Sequence, residues 1–136
     1  MKAFCTYCSK GKNRAVGNMP AIERYGNHRI NNTYFAAMYS RAQFFILSGK
    51  YGLLKPCDQI PYYDHKLKTL EVKAIAKRVA RQLRRYAINR LVYFTKSWHK
   101  NEDLKPYYQV IRMACDGSKV ALVTRELPDK EVEKKA

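Results

Sequence analysis

Residues 44–47, Phe-Phe-Ile-Leu, place four large apolar side chains in a row with no polar residue among them. Consecutive residues of a strand point to opposite faces of the sheet, so this segment would present apolar groups on both faces. Both faces must then be covered, as in the inner strands of a parallel sheet with helices on each side. The segment therefore favours an α/β fold.

Other segments extend this pattern. Strands are predicted over residues 2–8, 44–48 and 90–97, and a fourth strand within residues 119–127 is predicted to end at Thr124 and Arg125. Helices are predicted from apolar spacing over residues 31–43, 69–86 and 104–114. This alternation predicts a mostly parallel central sheet of about four strands in one domain, residues 1–127, followed by a charged tail, residues 128–136.

The charge balance points to a polyanionic partner. The chain has 27 Lys and Arg against 11 Asp and Glu, a formal net charge of +16. Nucleic acid is the expected partner because backbone phosphates attract such a surface whatever the base sequence. No apolar run approaches the ~20 residues that cross a bilayer, and no signal-peptide core is present. We expect a cytoplasmic protein that has no membrane partner.

One face of the predicted helix over residues 69–86 is strongly basic. This basic stripe consists of Lys73, Lys77, Arg81, Arg84 and Arg85. A solvated helix face and a surface that contacts phosphates both fit the pattern.

Each predicted strand ends in a hydroxyl and a basic residue. The pairs are Ser9 and Lys10, Ser48 and Lys50, Thr95 and Lys96, and Thr124 and Arg125. Ligands of parallel α/β sheets bind at the carboxyl ends of the strands, so these groups are expected to meet and to bind an anion. Gly49 and Gly52 would let backbone N–H groups approach that anion.

Carboxylates are scarce, and two of them, Asp58 and Asp64, follow the second predicted strand. A carboxylate in the crevice could activate water or stabilise a cationic sugar, as glycosidic-bond cleavage requires. Alternatively, Asp64 closes its loop by accepting backbone N–H groups. Tyr51 and Tyr63 offer flat faces on which a base could stack.

The four cysteines, Cys5, Cys8, Cys57 and Cys115, contain only one close pair. A structural zinc site usually has two such pairs, so no metal is predicted, and the thiols are expected to be reduced. Phosphate-loop and dinucleotide-binding motifs are not found, so no cofactor is predicted. A nucleophile-elbow motif is not found either, so a catalytic triad is not predicted.

Two motifs resemble those of an uncharacterised bacterial and phage family. "CSKGK" at residues 8–12 resembles its C-S-K-x-K motif, and "ILSGKYGLLKPCDQIPYYDHKL" at residues 46–67 resembles L-S-A-K-Y-G-L-L-x-P followed by P-Y-D-x-x-L. Gly49 stands where that family commonly has Ala, and the last motif has one extra Tyr here. A similar signature occurs in the YaaA peroxide-stress family and, more distantly, in an accessory domain of archaeosine synthases.

These groups are similar to the uracil-DNA glycosylase superfamily. The resemblance implies a three-layer α/β sandwich and a pocket for a nucleobase, a nucleoside or DNA. The residues that it implies for this pocket are Cys8, Ser9, Lys10, Ser48, Lys50, Tyr51, Gly52, Tyr63 and Asp64. The water-activating and histidine motifs of the glycosylases themselves are not visible in this chain.

The leading hypothesis is a nucleic-acid-associated protein with a crevice that binds a base or a nucleotide. DNA is favoured over RNA as the partner. The protein could be a glycosylase-like enzyme in which Lys10 and Lys50 hold phosphate and Asp64 assists departure of the base. The alternatives are a DNA- or RNA-binding module without catalysis and an enzyme that acts on free nucleotides. The sequence leaves the oligomeric state open.

Overall fold

The computed structural model describes residues 1–128, so the predicted tail lies outside the described residues from residue 129 onward. Its strands are β1 (Lys2–Tyr7), β2 (Met19–Pro20), β3 (Gln43–Ser48), β4 (Gly52–Leu54), β5 (Gln59–Ile60), β6 (Arg90–Lys96) and β7 (Ala121–Leu127). The central sheet has five strands in the order β4-β3-β1-β6-β7. All neighbours in it are parallel except β3 and β4, and β2 pairs with β5 in a separate small sheet. The predicted α/β fold with a mostly parallel central sheet is confirmed.

Helices connect these strands. They are α1 (Ala21–Tyr25), α2 (His28–Tyr39), α3 (Val72–Arg85) and α4 (Lys105–Ser118), with short 3-10 turns at Thr69–Glu71 and Glu102–Leu104. The side chain of Asn27 caps α2 by accepting a hydrogen bond from the N–H of Ile30 at 3.2 Å. Among residues 1–128, no helix has both the length and the apolar character that a bilayer span requires.

The two faces of the sheet contact different helices. The ring of Phe44 in β3 stacks on Tyr34 of α2, with 5.1 Å between centroids. The next residue, Phe45, stacks on Tyr86 at the end of α3, at 5.3 Å. Consecutive residues of β3 are therefore buried on opposite sides of the sheet, as its apolar run predicts.

The sequence analysis missed α1, β4 and the pair of β2 with β5. These elements have two to five residues, too few to show a period. It also placed the end of the last strand too early. Thr124 and Arg125 lie inside β7, in register with Tyr93 and Phe94 of β6. Polar residues are tolerated there because β7 is an edge strand in which no residue is fully buried.

Candidate functional site

A cavity of about 460 Å³ opens at the carboxyl ends of β1 and β6. Its walls come from the loop after β1, the start of α2, the segment 64–66, the last residue of β6 and the region where α4 begins. The lining residues are Tyr7, Cys8, Ser9, Lys10, Lys12, Asn27, Arg29, Asp64, His65, Lys66, Lys96, Asp103, Leu104 and Tyr107. Its volume is typical of small-molecule sites, which span about 300–1,000 Å³.

Arg29, in the first turn of α2, brings a positive charge to this cavity. Its guanidinium donates hydrogen bonds to Thr6 Oγ1 at 2.6 Å and to the carbonyl oxygens of Tyr7 and Cys8 at 2.7 and 3.3 Å. Burial lowers the pKa of Arg29, but a guanidinium remains protonated at neutral pH. Within residues 1–128 no carboxylate pairs with it, so its charge is available to an anion.

Two tyrosines give the cavity an aromatic wall. The rings of Tyr7 and Tyr107 lie 6.4 Å apart between centroids. The hydroxyl of Tyr107 accepts a hydrogen bond from the N–H of Leu67 at 3.1 Å and lies 3.8 Å from the sulfur of Cys8. Burial raises the pKa of both tyrosines, so both hydroxyls are neutral. The guanidinium of Arg29 lies 3.6 Å from the centre of the Tyr7 ring, so this wall combines aromatic surface with a positive charge.

Asp58, Asp64 and Asp103 have different surroundings, and only Asp64 and Asp103 line the cavity. Asp58 accepts a hydrogen bond from the N–H of Lys55 at 2.8 Å and so closes its own turn. Asp103 lies 3.2 Å from Lys66 and 3.6 Å from Lys10, and the hydrogen bond from Lys66 is the main reason why the pKa of Asp103 is lowered. Asp64 lines the cavity, and within the described part of the chain it has neither a hydrogen bond nor an ion pair. No backbone N–H of residues 1–128 donates to Asp64, so the loop-closing bond considered for Asp64 is not formed within this part of the chain.

Ser48 and Tyr63, both predicted to bind substrate, belong to an internal hydroxyl network. Ser48 Oγ accepts the N–H groups of Lys50 and Tyr51 at 3.0 and 3.1 Å and is hydrogen-bonded to the hydroxyl of Tyr63 at 2.9 Å. The hydroxyls of Tyr63 and Tyr25 are also hydrogen-bonded to each other. Neither Ser48 nor Tyr63 is among the lining residues of the cavity.

The remaining residues of the "SGKYG" segment also lie outside the cavity lining. Gly49 packs against Leu67, where an added Cβ would lie 2.9 Å from the Cβ of that leucine. The amino group of Lys50 lies 5.6 Å from the centre of the Tyr63 ring, and that of Lys12, which lines the cavity, lies 4.7 Å from the same centre. Tyr51 contacts the Tyr63 ring edge-on at 5.3 Å. This segment thus lies next to the cavity, with the amino groups of Lys50 and Lys12 both near the Tyr63 ring.

The basic stripe lies along the exposed side of α3. Lys73, Lys77, Arg81, Arg84 and Arg85 are all exposed, and none forms an ion pair with another described residue. Its positive charge is therefore available to phosphates.

The cysteines do not form a cluster in residues 1–128. Cys5, Cys8 and Cys115 are buried, Cys57 is exposed, and all are free thiols. Burial raises the pKa of Cys115 to about 12, which favours the protonated thiol over a metal-binding thiolate. No group of three or more His, Cys, Asp or Glu in this part of the chain could hold a metal ion.

Sequence reasoning missed Tyr7, Arg29 and Tyr107 as cavity residues. The two tyrosines occupy apolar positions of a strand and a helix, where they resemble core residues. The position of Arg29 could have been noticed, because a cation in the first turn of a helix interacts unfavourably with the helix dipole. An arginine at such a position indicates a role other than helix stability.

The comparisons with known proteins identify one family. A model described as a family of unknown function, DUF6884, matches residues 7–111. No curated protein and no solved structure matches the chain. The matched range contains the loop after β1, α2, the segment 64–66 and Tyr107, so it includes every lining residue of the cavity.

Proposed function

The chain belongs to this family of unknown function, and on that premise we propose that it binds one nucleotide unit of a nucleic acid, DNA more than RNA, and hydrolyses its N-glycosidic bond. In this proposal the base enters the 460 Å³ cavity. An extruded or single-stranded nucleotide can reach such a pocket, whereas a base stacked in a duplex cannot.

The main support for this proposal is the position of Asp64. Its carboxylate has no protein partner among the described residues and faces a cavity in which cations outnumber acids. The charged lining residues are Lys10, Lys12, Arg29, Lys66 and Lys96 against Asp64 and Asp103. The cations attract backbone phosphates, and the free carboxylate can act on the sugar or on water.

In the proposed reaction, the bond between C1′ of the sugar and the nitrogen of the base breaks, and the oxygen of a water molecule bonds to C1′. Asp64 accepts a proton from that water or stabilises the cationic sugar by its charge. The electron pair of the broken bond leaves with the base, which takes up a proton from solvent, and the proton that the attacking water loses is returned to solvent. Tyr7 and Tyr107 line the cavity that receives the base, whereas sequence reasoning gave the stacking role to Tyr51 and Tyr63.

The finer classification belongs to the same proposal. We infer a three-layer fold of the uracil-DNA glycosylase type, a distant relation to YaaA, and a cytoplasmic location. The placement of the two resembling motifs supports this inference, because Cys8, Ser9 and Lys10 of the first and Asp64 of the second line one cavity.

The test is base release from single-stranded and duplex oligonucleotides that carry a panel of modified bases, detected as alkali-labile sites. Asp64→Asn is expected to reduce cleavage by about 10²–10⁴-fold, the range for loss of an acid–base group, with little change in DNA affinity. Asp58→Asn is the matched control, because it lies in the same loop and its amide oxygen can still accept from the N–H of Lys55.

Two results would contradict the catalytic part of this proposal. Salt-dependent DNA binding without cleavage of any oligonucleotide would identify a binding module. Thermal stabilisation by mononucleotides without stabilisation by DNA would instead indicate an enzyme of free nucleotides.

A further inference from the structure

A second cavity, of about 690 Å³, adjoins the first. We call it the α2 groove, because it lies between α2, which provides Asn32 and Ala36, and the ends of β6 and β7, which provide Phe94 and Leu127. Asn27, Arg29 and Lys96 line both spaces. These residues therefore form the boundary between the cavity and the α2 groove.

This boundary is positively charged and has unused hydrogen-bond donors. Arg29 has about five N–H donors in its guanidinium. It uses three bonds to hold Thr6, Tyr7 and Cys8, so part of its donor capacity remains for a ligand. Within residues 1–128, neither Arg29 nor Lys96 forms an ion pair. An anion at this boundary would thus be attracted by two cations.

The α2 groove has the chemistry of a site for a second nucleoside. Among residues 1–128, no Asp or Glu lines it, so no carboxylate in this part of the chain would repel a phosphate there. Asn27 and Asn32 have amide groups for a sugar or a base edge, and Ala36, Phe94 and Leu127 add apolar surface. Phe94 is only partly buried, so its ring is available for contact.

We propose, building on the proposed function, that Arg29 and Lys96 bind the phosphate that links two consecutive nucleotides. One nucleotide then places its base in the cavity, and its neighbour occupies the α2 groove. The substrate class is therefore a polynucleotide strand or a short oligonucleotide, and a free mononucleotide would fill only half of the site.

The test compares the four deoxy-homodinucleotides, each with one linking phosphate, with the four deoxynucleoside 5′-monophosphates by isothermal titration calorimetry. A terminal phosphate has about −1.5 to −2 charges, more than a linking phosphate, so attraction by charge alone would favour the monophosphates. We expect the dinucleotide of the preferred base to bind at least about tenfold more tightly, because it gains the interactions of the second site.

Two variants separate the groove from the boundary. Ala36→Trp fills the α2 groove from an exposed position and should lower dinucleotide affinity about tenfold without changing mononucleotide affinity. Met38→Trp is the matched control, since Met38 is exposed on the same helix but does not line the groove. Lys96→Gln should weaken dinucleotide binding about tenfold because a charged hydrogen bond is removed, whereas Lys2→Gln at the opposite edge of the sheet should not.

Equal or weaker binding of dinucleotides relative to monophosphates would overturn this inference and leave the proposed function standing. An equal effect of Ala36→Trp and Met38→Trp would also overturn it. If neither kind of nucleotide bound, both the inference and the nucleotide pocket itself would be wrong.

Discussion

Gly52 is the first residue of β4 and directly follows the turn after β3, with φ of +77°, a region that L-residues with a side chain rarely adopt. A Cβ at this position would lie 2.6 Å from Oε1 of Gln82. That oxygen accepts the hydrogen bond from the N–H of Leu53 at 2.8 Å. Sequence reasoning expected this glycine beside a bound anion, but the turn and the contact with α3 are sufficient reason for it.

We predict that Gly52→Ala lowers the free energy of unfolding by about 2 kcal/mol, through backbone strain and displacement of Gln82. Urea unfolding followed by circular dichroism measures this change. Gly11→Ala is the control, because no atom lies within 4 Å of its added Cβ and its φ is not positive. A loss in the control as large as in Gly52→Ala would contradict the explanation.

The candidate site shows how far single residues could be predicted. Ser9, Lys10 and Asp64 line the cavity, as expected from residue type and from position after a strand, and Cys8 lines it as the family resemblance implies. Ser48 is also a hydroxyl residue at the end of a strand, but it is fully buried, and its hydroxyl is hydrogen-bonded within the protein. The direction of a side chain just after a strand depends on the turn that follows, and residue type does not specify that turn.

At the scale of elements, α3 was the most predictable part of the chain. Its buried positions and its basic stripe follow from helical spacing alone, because the pattern extends over 14 residues. The two-residue strands β2 and β5 could not be predicted in this way, since they exist only where Met19 and Pro20 meet Gln59 and Ile60.

The basic stripe leads to a prediction for α3 as a whole. Replacing Lys73, Lys77 and Arg81 together by Gln should lower duplex DNA affinity and reduce the slope of log K against log salt by up to ~0.9 for each phosphate that the variant no longer neutralises. Fluorescence anisotropy over a salt series measures both quantities. Stability should change little, because these side chains are exposed.

A triple Gln variant at Lys2, Arg90 and Lys119 removes the same charge and serves as the control. These residues lie at the amino ends of β1, β6 and β7, away from the cavity. An equal change in both triple variants would show that only net charge matters and that α3 is an ordinary solvated helix.

At the scale of the whole molecule, the excess of positive charge makes the few carboxylates important for stability. The hydrogen bond from Lys66 lowers the pKa of Asp103, and the backbone N–H of Lys68 lowers that of Glu71. Both groups therefore favour the folded state when ionised. Each protonation also raises a formal net charge that is already +16 at pH 7.

We predict that the free energy of unfolding is steady above pH ~5 and falls as the pH decreases below the ordinary carboxyl range of ~4. The sign follows from the lowered pKa values, because the unfolded chain takes up protons before the folded chain does. Urea unfolding at constant ionic strength measures the profile. Asp103→Asn should be less stable than the unchanged chain at pH 7 and should approach it at pH 3, whereas a constant difference would contradict the role of its charge.

The sequence by itself determined the type of fold and the general character of the surface. Apolar runs such as Phe44–Leu47 define buried strands, helical spacing defines α2, α3 and α4, and the charge balance follows from composition. These properties depend on the residues themselves or on neighbours a few positions away, which is why a local pattern records them.

Only the tertiary structure decided which polar groups share a cavity. Arg29 in α2 and Tyr107 in α4 are far apart in the sequence. They line the same cavity at the end of β1 because the strand order is β3-β1-β6. The same packing turns Ser48 inward and leaves Asp64 without a protein partner among the described residues. Long-range contacts depend on how whole elements pack, and no local period in the sequence contains that information.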